Sequence, residues 1–232
     1  MKWLFCYLVV VCICTVGVGC AVGRDAVSEQ VSLPDPVLEG SLSLEQALLQ
    51  RRSVRSYADR PLTLQAVSQL LWSAQGITDA RRGLRTAPSA GATYPLELLL
   101  VVGRVEGMEA GVYRYQPADH VLTSIRSGDV RPELVEAALG QTFIGQAPIS
   151  IVFTGVHGRT ARRYGDRAER YVAMEAGHAA QNICLQAVAL DLGVVVVGAF
   201  RDRQVADLLR LNTAEVPLYV IPVGHVAERL GD

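Results

Sequence analysis

The chain has 232 residues, of which 50% are hydrophobic and 19% are charged, so a largely disordered protein is excluded. The formal net charge of −1 argues against a nucleic-acid-binding protein, which needs a strong excess of basic residues. Lys2 is the only lysine. Any anion would therefore have to be bound by arginine guanidinium groups, backbone amides or histidines.

Residues 1–22 have the pattern of an export segment. Lys2 is followed by a run without charged residues up to residue 22, which is about long enough to cross a bilayer. Three interpretations remain open: a cleaved signal peptide, a lipoprotein leader with Cys20 as the lipidated residue, and an uncleaved signal anchor. We therefore expect an exported bacterial protein, periplasmic or membrane-anchored, that meets a membrane only through this leader. Cys184 is the only cysteine beyond it, so an intramolecular disulfide in the body is excluded.

The polar, proline-containing residues 23–40 predict a flexible tether, and the folded domain is expected over residues 41–232. Ser43-Leu44-Glu45-Gln46 is a capping box that predicts a helix to about Arg52. Thr63 is the expected cap of a second helix, which Gly76 ends. A polar loop over residues 78–92 follows.

Continuous or alternating apolar runs predict the strands that come next. They are residues 96–105, a hairpin of residues 112–115 and 121–126, and then residues 149–154, after a short helix at 132–139. Strands at 194–197 and 217–223, with a helix capped by Asp202 between them, complete the pattern. Strands and helices alternate without a regular βαβ order, so the predicted class is α+β.

The segment 167–192 predicts one long helix that Gly193 ends. Its larger side chains recur at spacings of three and four, which indicates one buried stripe. The stripe comprises Tyr171, Met174, His178, Gln181, Leu185, Val188 and Leu192.

Three segments could carry chemistry, although each also has an ordinary structural interpretation. The run from Arg51 to Tyr57 contains three arginines at a helix end, which is either an anion site or a solvated basic terminus. The small residues of Pro88-Ser89-Ala90-Gly91 either admit a planar ligand or form a simple loop. Gly198-Ala199, after a strand, is equally ambiguous. We find no GxGxxG, Walker or GxSxG motif, and the four histidines lack metal-ligand spacing, so no metal site is expected.

Five pieces in this order resemble the nitroreductase superfamily, and specifically its SagB-type (ThcOx-type) FMN-dependent dehydrogenases. The resemblance covers about residues 41–224. The pieces are Arg51 to Tyr57, Pro88 to Pro95 with Glu97, Tyr164 to Arg167, Met174 to Asn182, and Gly198 to Phe200 before the terminal segment 217–224.

The resemblance implies a nitroreductase fold: a central, mostly antiparallel sheet flanked by helices, with a long central helix at the core of a homodimer. It also implies an FMN site in which Arg51 meets the phosphate with Arg52 and Ser53 beside it. Arg55 would face the isoalloxazine edge and serve as the catalytic residue. Two segments would line the ring, namely Pro88, Ser89, Ala90 and Gly91, and Val197, Gly198 and Ala199.

Two departures from the family pattern stand out. His225 occupies the position after the last strand, where an arginine often meets the phosphate, and it would be the remaining cofactor-binding residue. Arg163-Tyr164 stands where azole-forming relatives have a Lys-Tyr pair, and arginine is a poor general base.

The resemblance implies an oxidoreductase with ping-pong hydride transfer from a donor, NAD(P)H where available, to a small oxidised substrate. The alternatives are a flavin-binding or anchored interaction module without turnover, and a SagB-like dehydrogenase acting on a peptide azoline. The identity of the substrate and of the donor does not follow from the sequence.

Overall fold

The structure, a computed structural model, describes residues 29–227, so the expected leader and the start of the expected tether lie outside the described residues. Within residues 29–227, no helix is both long enough and apolar enough to span a bilayer. The helices are α1 (Leu44–Gln50), α2 (Leu64–Gln75), α3 (Arg131–Ala137), α4 (Phe143–Gln146), α5 (His157–Tyr164), α6 (Ala168–Ala189) and α7 (Asp202–Leu208). The strands are β1 (Gln30–Ser32), β2 (Ile77–Asp79), β3 (Leu84–Arg85), β4 (Leu96–Val102), β5 (Gly111–Gln116), β6 (Val121–Ser127), β7 (Ile149–Gly155), β8 (Gly193–Val194) and β9 (Val216–Gly224).

Seven strands form one sheet in the order β1-β6-β5-β4-β7-β9-β8, and every neighbouring pair is antiparallel. The central strand β4 is buried on both faces. Leu98 and Leu100 belong to the core on the α2–α6 side, whereas Leu99 and Val101 belong to the core on the α3–α7 side. Burial on two faces explains the continuous apolar run of this strand. The predicted α+β class is confirmed, with a central antiparallel sheet that helices cover on both faces.

The helix starts follow the local sequence. The Ser43 hydroxyl accepts from the Gln46 amide and the Gln46 side chain accepts from the Ser43 amide, which is the predicted capping box. The Thr63 side chain caps α2 by accepting from the amide of Ala66. The short helices α4 and α5 were not predicted, and β2 and β3 form a small hairpin inside the predicted polar loop. Since α5 contains three arginines and a histidine, it has no apolar periodicity to reveal it.

The long helix α6 has the predicted place, but the prediction of its buried face was wrong. Its buried residues are small or aliphatic, and Glu175 is the one charged residue among them. Within α6 the predicted stripe lies on the more open side, where Met174 is 53% exposed and His178 is exposed, whereas Leu192, just after the helix, is buried as predicted. Small side chains let α6 approach α2 and the sheet closely, so the larger residues are left outside. The buried set is Ala168, Val172, Glu175, Ala176, Ala179, Ala180, Ile183, Cys184 and Ala187.

Residues 29–40, the described part of the expected tether, are packed against the domain. Strand β1 pairs with β6, and the amide of Leu33 donates to the carbonyl of His120 at 3.2 Å. Leu33 is buried, and Val37 exchanges two hydrogen bonds with the Gln69 side chain. Because β1 supplies backbone partners to an edge strand, it is held without any strong strand signal of its own.

Candidate functional site

The basic segment 51–58 runs along one end of the sheet. Ser53 forms a parallel bridge with Val194, and the Val54 amide donates to the Val194 carbonyl at 2.9 Å. Further along, Tyr57 bridges to Val226, and the Ala58 amide donates to the His225 carbonyl at 2.9 Å. The segment therefore lies between β8 and residues 225–227, the stretch that follows β9.

The side chains of this segment differ in what they contact. Arg52 donates to the carbonyls of Leu49 and Arg51, both at 2.8 Å, so it caps the end of its own helix. Ser53 and Arg55 are exposed and Arg51 is half-buried. In the described part of the chain, neither Arg51 nor Arg55 takes part in an ion pair.

The arginines of this segment lower the pKa of two buried groups, Cys184 and Tyr57, against the effect of burial. Burial raises the pKa of the Cys184 thiol on α6, and the positive charge of Arg51 opposes that rise. Burial likewise raises the pKa of the Tyr57 phenol, with Arg55 opposing. Arg51 is therefore close to the C-terminal half of α6.

His225 is half-buried and lines a cavity of about 210 Å³ together with Arg60, Thr63 and Glu106. Its backbone is beside the basic segment, as the position after the last strand predicted. The structure thus brings the His225 and Arg51 segments together through the backbone, whereas the lining of the His225 cavity does not include Arg51.

The small-residue loop is a tight turn with unusual backbone angles. Three of its residues have positive φ: Gly91 at 60°, Ala92 at 51° and Tyr94 at 42°. A non-glycine residue in this region is strained, so surrounding contacts must hold it. The Ser89 hydroxyl accepts from the Tyr94 amide at 2.9 Å, and the Thr93 hydroxyl donates to the Ala90 carbonyl at 3.0 Å.

Helix α5 contacts this loop from outside. Arg163 donates to the Gly91 carbonyl at 3.3 Å, and Arg159 donates to the Tyr94 carbonyl at 3.0 Å. The φ of 60° at Gly91 favours glycine, and a Cβ atom there would lie 2.7 Å from the Tyr164 hydroxyl, so Tyr164 would have to move. The Arg163-Tyr164 pair noted in the sequence is therefore beside the loop.

A cavity of about 280 Å³ lies between this loop and the N-terminal half of α6. Glu175 is 2% exposed and lines it. Burial raises the pKa of Glu175 to about 7, against the opposing effects of a Ser89 hydrogen bond and the charge of Arg85. Sequence reasoning missed Glu175; the only available signal was a lone carboxylate among small residues of a long helix. The other lining residues are Pro88, Ser89, Ala90, Tyr171, Met174 and His178.

The third predicted segment, Gly198-Ala199, follows directly after Val197, which pairs with β9 of the sheet. Val197 pairs with Val220 through two backbone hydrogen bonds of 2.9 Å, and Gly198 and Ala199 are exposed just beyond. Gln141 donates to the Ala199 carbonyl at 2.9 Å, which fixes the exposed turn. Val194 and Ala199 are five residues apart, so the turn is within about 18 Å of the basic segment.

The predicted site residues form two groups in one chain. The basic segment and the turn after Val197 belong to the end of the sheet near Cys184. The small-residue loop instead contacts α6 near Glu175. Nine residues separate Glu175 from Cys184, which is about 14 Å along a helix. One chain therefore places the two groups near two different parts of α6.

The fold and these features define a class: an α+β protein with an antiparallel sheet, a long helix, a basic segment and a small-residue loop. A family model described as the nitroreductase family matches residues 48–225, and the chain belongs to that family. Its members are usually FMN-dependent oxidoreductases.

Individual relatives agree with this assignment. A protein of Methanocaldococcus jannaschii whose name assigns it to the nitroreductases is 48% identical over 199 residues, covering 86% of this chain and 98% of that protein. A crystal structure from Ralstonia eutropha, also described as a nitroreductase, has a TM-score of 0.77 and 33% identity, covering 86% of this chain and 90% of the other. The microcin B17-processing protein of Escherichia coli is 28% identical over 171 residues, covering 71% of this chain and 63% of that protein.

Proposed function

We propose that this protein is an FMN-dependent oxidoreductase that passes hydride from a donor to a small oxidised substrate in two half-reactions. The observation that carries the proposal is the position of the basic segment. The Ser53–Val194 bridge holds Arg51 and Arg55 beside the strand that leads to the exposed Gly198-Ala199 turn. Cations at one end and small, open backbone at the other fit a cofactor with a phosphate and a flat ring.

The phosphate end of the proposed site consists of Arg51 and Ser53. The Arg51 guanidinium is half-buried without an ion pair among the described residues, and the Ser53 hydroxyl is exposed. A guanidinium can bind a phosphate through two charge-assisted hydrogen bonds. Arg52 contributes positive charge only, because it already caps α1. His225 would be the remaining contact of the same phosphate, although the cavity that it lines does not include Arg51.

The ring end consists of small residues and one fixed charge. Bound FMN supplies the hydride chemistry, and the protein binds, orients and tunes it. Val197, Gly198 and Ala199 would support the ring from this chain, while Pro88 to Gly91 would cover it. The Arg55 guanidinium would stabilise negative charge that develops on the ring during reduction.

The separation of the small-residue loop from the basic segment supports a homodimer as part of the proposal. The loop and the basic segment of one chain meet α6 about 14 Å apart, so a second copy could bring its loop to the first copy's basic segment. Helix α1, which packs against α6, and α6 itself both carry exposed apolar side chains. Leu44, Leu48 and Leu49 of α1 are 52–72% exposed, and Met174 of α6 is 53% exposed. A site at the interface would explain why these side chains are apolar.

A second candidate is the SagB-like oxidation of an azoline in a peptide. The similarity to the microcin B17-processing protein and the position of Arg163-Tyr164 against the loop favour it. Arginine in place of a basic lysine disfavours it, because the guanidinium does not give up its proton. The non-enzymatic alternative is a flavin-binding or anchored interaction module without turnover. The export interpretation of residues 1–22 stays part of the proposal, and an exported enzyme would need a donor other than cytoplasmic NAD(P)H.

One experiment separates these functions. The chain is purified with FMN, desalted, and its absorbance followed under argon as NADH, NADPH or dithionite is added. We expect a yellow protein that a nicotinamide bleaches and that a quinone or nitro compound recolours. A protein that stays yellow with every donor except dithionite would support the binding module. A protein that retains no FMN would overturn the proposal.

A further inference from the structure

Glu175 is a buried carboxyl on α6, beside the small-residue loop that we propose covers the flavin ring. It is 2% exposed, and its Oε1 atom has no hydrogen-bond partner among residues 29–227. It is part of the wall of the 280 Å³ cavity under the small-residue loop. A carboxyl group buried without full hydrogen bonding costs stability, so its presence there points to a role.

Glu175 and Ser89 of the loop line the same cavity. Ser89 opposes the rise in the pKa of Glu175, and its hydroxyl accepts from the Tyr94 amide at 2.9 Å. The residues between Ser89 and Tyr94 include Gly91 and Ala92, which have positive φ angles, as Tyr94 itself does. Glu175 therefore lies beside the residue that helps to hold a turn, and this turn needs outside contacts to keep its shape.

The charged groups around Glu175 come from several elements. On the β3 side, Arg85 stacks over the Tyr94 ring at 4.5 Å and exerts its charge on the carboxyl. Glu97 and Arg159 act on Arg85 in turn, with opposite signs. From α6 itself, Tyr171 and His178 line the same cavity. Arg85 is the nearest fixed charge, and it is partly balanced by Glu97.

We propose that Glu175 is a positioning residue of the loop formed by residues 88–94, and that it takes up a proton when the cofactor held by this loop is reduced. The proposal rests on the proposed function, because it requires the loop to cover the flavin ring. It goes beyond that function in naming the group that exchanges the proton and the neighbouring residue, Ser89, through which its state would reach the loop.

Charge balance supplies the physical reason. Two-electron reduction of a bound flavin adds two electrons and one proton to the ring, which leaves one extra negative charge in the site. That charge makes an ionised Glu175 less favourable, so the carboxylate takes a proton from water through the cavity. Reoxidation by the substrate removes the charge, and the proton returns to water. Over one full cycle, Glu175 takes up one proton and releases one, so it returns to its starting state.

The first test uses the protein without cofactor. Amide resonances of Ser89, Ala90 and Tyr94 are followed by NMR from pH 5 to pH 9 in the full chain and in Glu175→Gln. We expect these amides to shift with one common midpoint near neutral pH, and the shift to disappear in the variant. The control is Glu169→Gln, an exposed carboxylate on the same helix, which should keep the titration. Loop amides that ignore pH in the unmodified protein would overturn the positioning role.

The second test measures the midpoint potential of the bound flavin between pH 6 and pH 8. A tenfold change in proton concentration is 29.6 mV per proton for a two-electron couple. The unmodified protein and Glu169→Gln should therefore have a slope steeper than Glu175→Gln, approaching one extra 29.6 mV per pH unit. Equal slopes in all three proteins would overturn the proton uptake while leaving the flavin function intact. Failure of the unmodified protein to bind FMN would instead refute the proposed function.

Discussion

Ser53 and Val194 form a parallel bridge, and this single contact joins the basic segment to the strand that leads into the Gly198-Ala199 turn. The amide of Val54 reinforces it with a 2.9 Å hydrogen bond to the Val194 carbonyl. A Cβ atom at Gly193 would lie 2.6 Å from the Val54 side chain, so the close approach requires glycine there. Two segments more than 130 residues apart in sequence thus become one surface.

Arg51 and Arg52 provide a matched pair for testing this surface. Arg51→Ala should weaken FMN binding about tenfold or more, because a charge-assisted hydrogen bond contributes roughly 1.5–3 kcal/mol and 1.4 kcal/mol is one decade. Arg52→Ala should change the affinity far less, since Arg52 already donates to two carbonyls of its own helix. Fluorescence titration of the apoprotein with FMN measures both. Equal losses in the two variants would mean that only the total charge matters.

Arg55 should set the redox behaviour of the bound flavin. Arg55→Gln keeps hydrogen-bonding capacity but removes the charge that stabilises the reduced anion, so the midpoint potential should become more negative by tens of millivolts, since about 30 mV is 1.4 kcal/mol for a two-electron couple. Folding should be unaffected because Arg55 is exposed. An unchanged potential together with a lower melting temperature would assign Arg55 a structural role only.

Elements with a strong local signal were predicted from the sequence. The capping box at Ser43, the apolar run of β4 and the length of α6 all follow from short-range patterns, and the structure confirms them. The α6 face was mispredicted for a tertiary reason. Alanine packs where helices approach closely, so the small residues rather than the large ones mark the side that faces the core.

The candidate site was predictable only in its separate pieces. Arg51 and Pro88 lie in segments that are recognisable in the sequence. The part of α6 that each segment approaches depends on how the chain folds around that helix. Glu175 could not be singled out, because a carboxylate on a helix is usually solvated and its burial depends on loop 88–94. The place of residues 30–32 at the edge of the sheet depends on pairing with β6, about 90 residues later.

The homodimer should be sensitive to one exposed leucine of α1. Leu48 is 52% exposed, so Leu48→Asp should leave the protomer folded while placing a charge in the proposed interface. Leu139→Asp is the control: Leu139 is similarly exposed, at 53%, but follows α3 on the other side of the sheet. We expect light scattering to report a dimer for the unmodified chain and the control, and a monomer with weakened FMN binding for Leu48→Asp. A monomeric unmodified chain would exclude the shared site.

The N-terminal segment should contribute to stability. Leu33 is 8% exposed and belongs to the main core, so Leu33→Ala should lower the free energy of unfolding by about 2 kcal/mol or more. Leu38→Ala, only five residues on but 76% exposed, should have little effect. Urea unfolding followed by circular dichroism compares them. Two variants of equal stability would show that residues 29–40 behave as the tether that the sequence suggested.

The strongest prediction concerns how stability depends on pH. Burial raises the pKa of Glu175 from 4.5 to about 7, so between these values the folded protein binds a proton that the unfolded chain has released. Stability from this group is therefore greatest below about pH 4.5, falls as the pH rises towards 7, and is constant above that. A difference of about 2.5 pKa units corresponds to about 3 kcal/mol at 1.36 kcal/mol per unit.

Glu175→Gln carries no charge to bury, so it should unfold at a higher urea concentration than the unmodified protein at pH 8 and at a similar one at pH 5. Glu169→Gln, exposed on the same helix, should follow the unmodified protein at both pH values. If Glu175→Gln is less stable at pH 8, the carboxylate is better satisfied than its burial implies, and its role near neutral pH must be abandoned.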